Sequence, residues 1–215
     1  MNNMKRKSVI LTLLLALLAA LPATAQYKEA TTYDDGSVYS GQRNGKGLRH
    51  GDGLMTWPSG DRYDGQWHKG IIHGQGTYYW ANGSSYSGQW KNGEIKGHGT
   101  FRWPNGDILE GDWQDDSRTG TGYFLWADGT RYEGPFIAGQ ATGKGVKTWP
   151  NGDRYEGQFN RWHIEGEGVM RYADGSSYTG FWLNDAYEGR GVVTAPDGTT
   201  YKGIFKAGQL VHQDE

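Results

Sequence analysis

The chain has 215 residues with no cysteine, 36 glycines, 10 Trp, 14 Tyr and 6 Phe, and a formal net charge of −2. Glycine exceeds twice its average share of about 7%, but it does not recur every third residue, which excludes collagen. The wealth of aromatic residues excludes a disordered chain. A near-neutral charge excludes a general nucleic-acid binder, which would be basic overall or carry a basic patch.

Lys5, Arg6 and Lys7 precede an apolar run from Val9 to Leu21 that contains one polar residue, Thr12. Pro22 breaks the run, and Ala23-Thr24-Ala25 supplies small residues at the −3 and −1 cleavage positions. This order predicts a secretory signal peptide over residues 1–25, cleaved after Ala25. The run is too short for the roughly 20 residues that span a bilayer, and no cysteine follows to carry a lipid anchor. Cleavage would remove three bases from the 22 and none of the 24 acids, leaving a net charge of −5. The expected location is the periplasm, the cell envelope or the medium, with no transmembrane span after cleavage. The style of the signal suggests a bacterium. Without disulfides, stability outside the cytoplasm must come from packing.

Residues 26–38 are expected to cap a tandem repeat over residues 39–210, with 211–215 as a tail. Tyr63, Tyr86, Leu109, Tyr132, Tyr155, Tyr178 and Tyr201 are spaced 23 apart without a slip, and Tyr39 stands 24 before the first. Glycine follows two positions after each, and a large ring two further on: Trp67, Trp90, Trp113, Phe136, Phe159, Trp182 and Phe205. Unit one carries Arg43 there instead. A G-x-G pair comes next, such as Gly74/Gly76, and four residues later Trp57, Trp80, Trp103, Trp126, Trp149, Tyr172 or Ala195. Each unit closes on a turn such as Pro58-Ser59-Gly60.

Tyr63, Gly65 and Trp67 lie at i, i+2 and i+4, one face of a strand, as do Gly76, Tyr78 and Trp80. Pro, then a polar residue, then Gly is type I turn chemistry joining two strands. Each unit therefore predicts one β-hairpin, with glycines making room for rings. The other face alternates polar residues, such as Arg62/Asp64/Gln66, as in an antiparallel sheet with one wet side. Turn positions Pro58, Ala81, Pro104, Ala127, Pro150, Ala173 and Pro196 alternate with a 46-residue period. Either alternate turns meet different neighbours, or the units were duplicated in pairs.

The order Y-x-G-x-W…G-x-G at this period resembles the MORN repeat family over nearly all of the chain after residue 38. The resemblance implies an all-β fold: an elongated, twisted, single-layer antiparallel sheet of about eight tandem 23-residue hairpins. At about 4.8 Å per strand such a rod is roughly 75 Å long. It also implies an assembly platform rather than a catalyst.

Catalytic motifs are missing: there is no GxxxxGK[ST], HExxH, GxSxG or GxGxxG. Family members attached to lipid kinase domains give no support for a kinase here, because no residue matches one. The six histidines (50, 68, 73, 98, 163 and 212) are expected on surface loops, spread along the rod, with no metal site. Glu110, Glu133 and Glu156 share a repeat position and predict a solvated ion-pair ladder with Arg131 and Arg154. No catalytic residue, metal or cofactor is expected.

The aromatic ladder is the candidate binding surface. A single layer cannot bury both sides of its rings, and exposed apolar patches mark binding sites. Trp67, Trp90, Trp113, Phe136, Phe159 and Trp182 are expected to form the exposed row, with Trp57, Trp80, Trp103, Trp126 and Trp149 in the core. The expected function is a non-catalytic extracytoplasmic scaffold that presents this surface to a protein partner or to another copy of itself. The alternative is a module binding carbohydrate or a lipid headgroup, since rings stack on sugars and hold quaternary ammonium. Nucleic acid is not an expected partner.

Overall fold

The computed structural model describes residues 30–114 and 117–214, so the expected signal peptide lies outside the described residues. These residues form 17 strands in one antiparallel sheet, each paired with the next in the chain. The first are β1 (Ala30–Thr32), β2 (Val38–Arg43), β3 (Arg49–Thr56), β4 (Arg62–His68) and β5 (Ile71–Tyr79). The pattern continues to Thr200–Lys206 and Gln209–Gln213, so the last strand runs three residues past the boundary expected at 210. There is no helix among the described residues.

Two kinds of connection alternate. At one edge of the sheet, β2 and β3 are joined by residues 44–48. There β4 and β5 meet through a two-residue tip with positive φ at both positions, Lys69 (51°) and Gly70 (92°), and later tips at 92/93, 138/139, 161/162, 184/185 and 207/208 do the same. Such turns match the right-handed twist of paired strands. At the other edge, the Trp57 carbonyl accepts from Gly60 N–H and the Trp57 N–H donates to Asp61 O, both at 2.9 Å.

These edge turns stack, and their stacking explains the 46-residue period. Ala81, Ala127 and Ala173 each donate their N–H to a carboxylate of the preceding turn: Asp61, Asp107 or Asp153, all at 2.8 Å. Pro58, Pro104 and Pro150 have no N–H to donate. The turn before each of them carries Ser37, Ser84 or Thr130 in place of Asp, and all three are buried. A donor is matched by an acid, and a proline by a small hydroxyl residue. Alternate turns do meet different neighbours.

The core lies on one face. Tyr39, Tyr63, Tyr86, Tyr132, Tyr155 and Tyr178 are at most 1% exposed. Each lies down along the sheet, its hydroxyl donating to the carbonyl three residues on, as from Tyr63 to Gln66 at 3.0 Å. Gly76 has to be glycine, because a Cβ there would fall on the Tyr63 ring. Its partner in the G-x-G pair has a different role. Gly74 sits at a register shift with φ +69°, and a Cβ there would meet the Gln66 side chain, whose Oε1 accepts from Gln75 N–H at 2.9 Å.

Candidate functional site

The structure reverses the expected division of the indoles. Trp67, Trp90, Trp113, Phe136, Phe159 and Trp182 are only 1–8% exposed, whereas Trp57, Trp80, Trp103, Trp126 and Trp149 are half-buried. The reason is the direction in which the tyrosines lie. The Tyr63 ring points toward the tip edge, so Trp67 of its own unit and Trp90 of the next close on it edge-on, at 5.3 and 5.7 Å between centroids. The indole N–H groups of this inner row are also satisfied: Trp67 and Trp90 donate to the Gly53 and Gly76 carbonyls at 3.0 and 3.1 Å. The outer indoles stand beyond the tyrosines, next to turns too short to cover them.

Arg43, which replaces the inner ring in unit one, takes that ring's role. Its guanidinium lies 5.0 Å from the Tyr39 centroid, and Nη1 donates to Gly47 O at 2.7 Å. Arg49 is similarly held, 4.5 Å from the Trp67 ring, with Nη2 donating to Gly70 O at 2.8 Å.

The outer rings form a continuous ribbon. Trp57 stacks on Tyr78 at 5.6 Å, and contact passes through Trp80, Phe101, Trp103 and Phe124 to Trp126 in steps of 4.5–5.6 Å. From Trp57 to Trp126 is six strand spacings, roughly 29 Å. With the tip loops as the far wall, the ribbon bounds an apolar trough. Its hollows measure about 450, 480, 620 and 580 Å³ in chain order.

Two residues of this trough were not singled out from the sequence. Lys147 stands where other units have an apolar residue, its ammonium 5.2 Å from the Trp126 centroid and 5.1 Å from that of Trp149. Burial pushes its pKa down, against the opposing pull of Asp185 and Asp128. Trp162 occupies the second position of a hairpin tip with φ 76°, where Gly70, Gly93, Gly139 and Gly208 stand in four other tips and Asp185 in a fifth. A bulky side chain in that region costs roughly 1–2 kcal/mol. The ring in return packs on Phe124, Trp126, Tyr132 and Phe136 at 5.3–5.6 Å. The readable signal for both was a departure from the repeat: a cation in an apolar register and an indole in a glycine's place.

The opposite face holds a hollow of about 930 Å³, lined by Glu133, Glu156, Glu167, Lys144, Arg171 and Arg190 among others. Acids and bases alternate there in the open. Arg131–Glu133 at 3.2 Å and Arg154–Glu156 at 2.7 Å are exposed pairs, of a kind worth about 0–1 kcal/mol. These are two rungs of the solvated ladder that the sequence predicts; the third acid of the row, Glu110, accepts from the Tyr123 hydroxyl at 2.9 Å.

The histidines are less scattered than expected. His50, His68 and His73 sit side by side on neighbouring strands, with ring centroids 5.1 and 5.6 Å apart, because His50 and His68 flank the paired Gly51 and Trp67. Desolvation, then Lys69 and the two flanking imidazoles, lower the pKa of His68. Among the described residues, no group of three or more His, Cys, Asp or Glu is arranged to hold a metal ion.

The family model of the MORN repeat matches residues 46–62, 63–85, 86–108, 110–131, 132–154, 155–177 and 178–200. No curated protein matches the chain. Among solved structures, the G-box domain of the microcephaly protein CPAP is 14% identical with a TM-score of 0.41, covering 83% of this chain and 99% of that one. The SAS-4 TCP domain of Drosophila melanogaster, solved with a proline-rich motif of Ana2, is 15% identical with a TM-score of 0.37, over 88% and 97% of the two chains. The TCP10 domain of Danio rerio CPAP, in complex with a STIL peptide, is 16% identical with a TM-score of 0.32, over 87% and 98%.

Proposed function

The chain belongs to the MORN repeat family, a repeat-based interaction module, and on that premise we propose that it is a non-catalytic scaffold whose aromatic trough receives a segment of a partner protein. The observation that carries this reading is the unbroken ribbon of half-buried rings from Trp57 to Trp126. Contiguous apolar surface of this kind is costly to leave in water and marks interaction sites. The signal-like residues 1–25 support an extracytoplasmic place of work.

The test is affinity capture after chemical cross-linking in the native envelope, comparing the wild type with a Trp103→Ala/Trp126→Ala double variant. One near-stoichiometric protein partner, lost with the double variant, is the expected result. Recovery of the bait alone, or of the same proteins with both baits, would overturn it. Half-exposed indole faces also suit a sugar or a choline-type headgroup. That second reading predicts a retained glycan or lipid instead of a protein. Salt separates its two forms, since attraction to charged headgroups fades with ionic strength and stacking on sugars does not.

A further inference from the structure

The two departures from the repeat meet in the trough. At the position two residues before the outer indole, the other units carry Met55, Tyr78, Phe101, Phe124, Met170 and Val193, and only the fifth carries a charge, Lys147. Lys147 and Trp162 both line the two adjoining hollows of about 620 and 580 Å³, so they stand at the junction between them. Other cations on this face already have acceptors: Arg43 and Arg49 donate to backbone carbonyls. Lys147 rests on the faces of Trp126 and Trp149, and no carboxylate among the described residues forms an ion pair with it. Asp128 and Asp185 act on it only from beyond ion-pair distance.

We propose that Lys147, framed by Trp126, Trp149 and Trp162, is an anchoring subsite for a single carboxylate carried by an otherwise apolar peptide segment lying in the trough. The proposal rests on the trough being the binding surface and names what that surface selects. An ammonium half out of water gains most from an incoming anion, because the bond replaces hydration it has already lost. The rings on either side supply the apolar contact.

A polypeptide fits the neighbouring hollow better than a polysaccharide does. Besides Lys147 and the indole N–H groups, Ser117 is the one polar side chain lining the 620 Å³ hollow among the described residues. A sugar chain would bury hydroxyls there without partners, at a penalty that apolar side chains do not incur.

A random 12-residue peptide library displayed on phage, selected on the full protein, tests this. The enriched peptides should share apolar anchors with one Asp or Glu at a fixed spacing from them. Selection on Lys147→Glu should replace that acid by Lys or Arg. Synthetic copies of the enriched peptides should bind Lys147→Met about tenfold more weakly than the wild type. Should Lys147→Glu fail to fold, the contrast between Lys147→Met and Lys147→Arg gives the same answer, with unfolding midpoints as the control.

Enriched peptides without a common acid, or bound equally by Lys147→Met, would overturn the subsite. The trough reading would survive that result if Trp103→Ala/Trp126→Ala abolished binding. Failure to enrich any peptide would count against the trough as a peptide-binding surface altogether. Retention of acidic glycans on an array, dependent on Lys147, would overturn the partner class.

Discussion

Replacing Asp107 by Ser and Ala127 by Pro, singly and together, tests whether neighbouring turns are coupled as their hydrogen bonds indicate. Asp107→Ser removes a 2.8 Å charge-assisted bond to the Ala127 N–H. Such bonds contribute about 1.5–3 kcal/mol, but Ala127 is exposed and water recovers part of that. The expected loss is about 1 kcal/mol. Ala127→Pro removes the donor at similar cost, offset by roughly 0.4–1 kcal/mol from a stiffer unfolded chain. The double variant recreates the Ser84–Pro104 pairing that the chain already uses, so the bond is lost once rather than twice. The cycle should therefore show a coupling of about 1 kcal/mol in urea titrations followed by tryptophan fluorescence. A double variant whose loss equals the sum of the single losses within about 0.3–0.5 kcal/mol would refute the account of the 46-residue period.

The two indole rows should separate in stability: Trp90→Ala should cost about 3–5 kcal/mol, while half-buried Trp103→Ala costs about 1–2 kcal/mol, again by urea unfolding. Gly99→Ala pushes a methyl into the Tyr86 ring and should cost about 1–3 kcal/mol or prevent folding; a neutral effect would mean that the ring does not lie where described. Burial raises Tyr86 and Tyr178 to about 12. A folded pKa above the unfolded value of about 10 means their contribution is intact below pH 10 and lost as pH rises through 12. Unfolding midpoints measured across that window should fall together with the appearance of tyrosinate absorbance.

The fold was legible because the repeat states it many times over. Tyr63, Gly65 and Trp67 recur in register, and alternation alone assigns their face. The division of that face was not legible. Trp67 and Trp80 each end an apolar series on a strand, so alternation ranks them equally. What separates them is that the Tyr63 ring lies toward Trp67 and away from Trp80, a direction fixed by the glycines of the adjacent strand. The Pro/Ala alternation was visible, but its cause needed the neighbouring turn, where Asp61 meets the Ala81 N–H. Lys147 and Trp162 were visible as departures from the repeat. That they share a place became clear only with the hairpin tip folded over the trough.

Site-specific photo-cross-linking bears most directly on the central claim that the ring-lined trough is where a partner sits. A photoreactive residue placed at Trp126, and another at Glu133 on the opposite face, would be irradiated in the native envelope and their adducts identified by mass spectrometry. One defined protein adduct from position 126, absent from position 133, is the predicted result. The same adduct from both faces, or from position 133 alone, would contradict it.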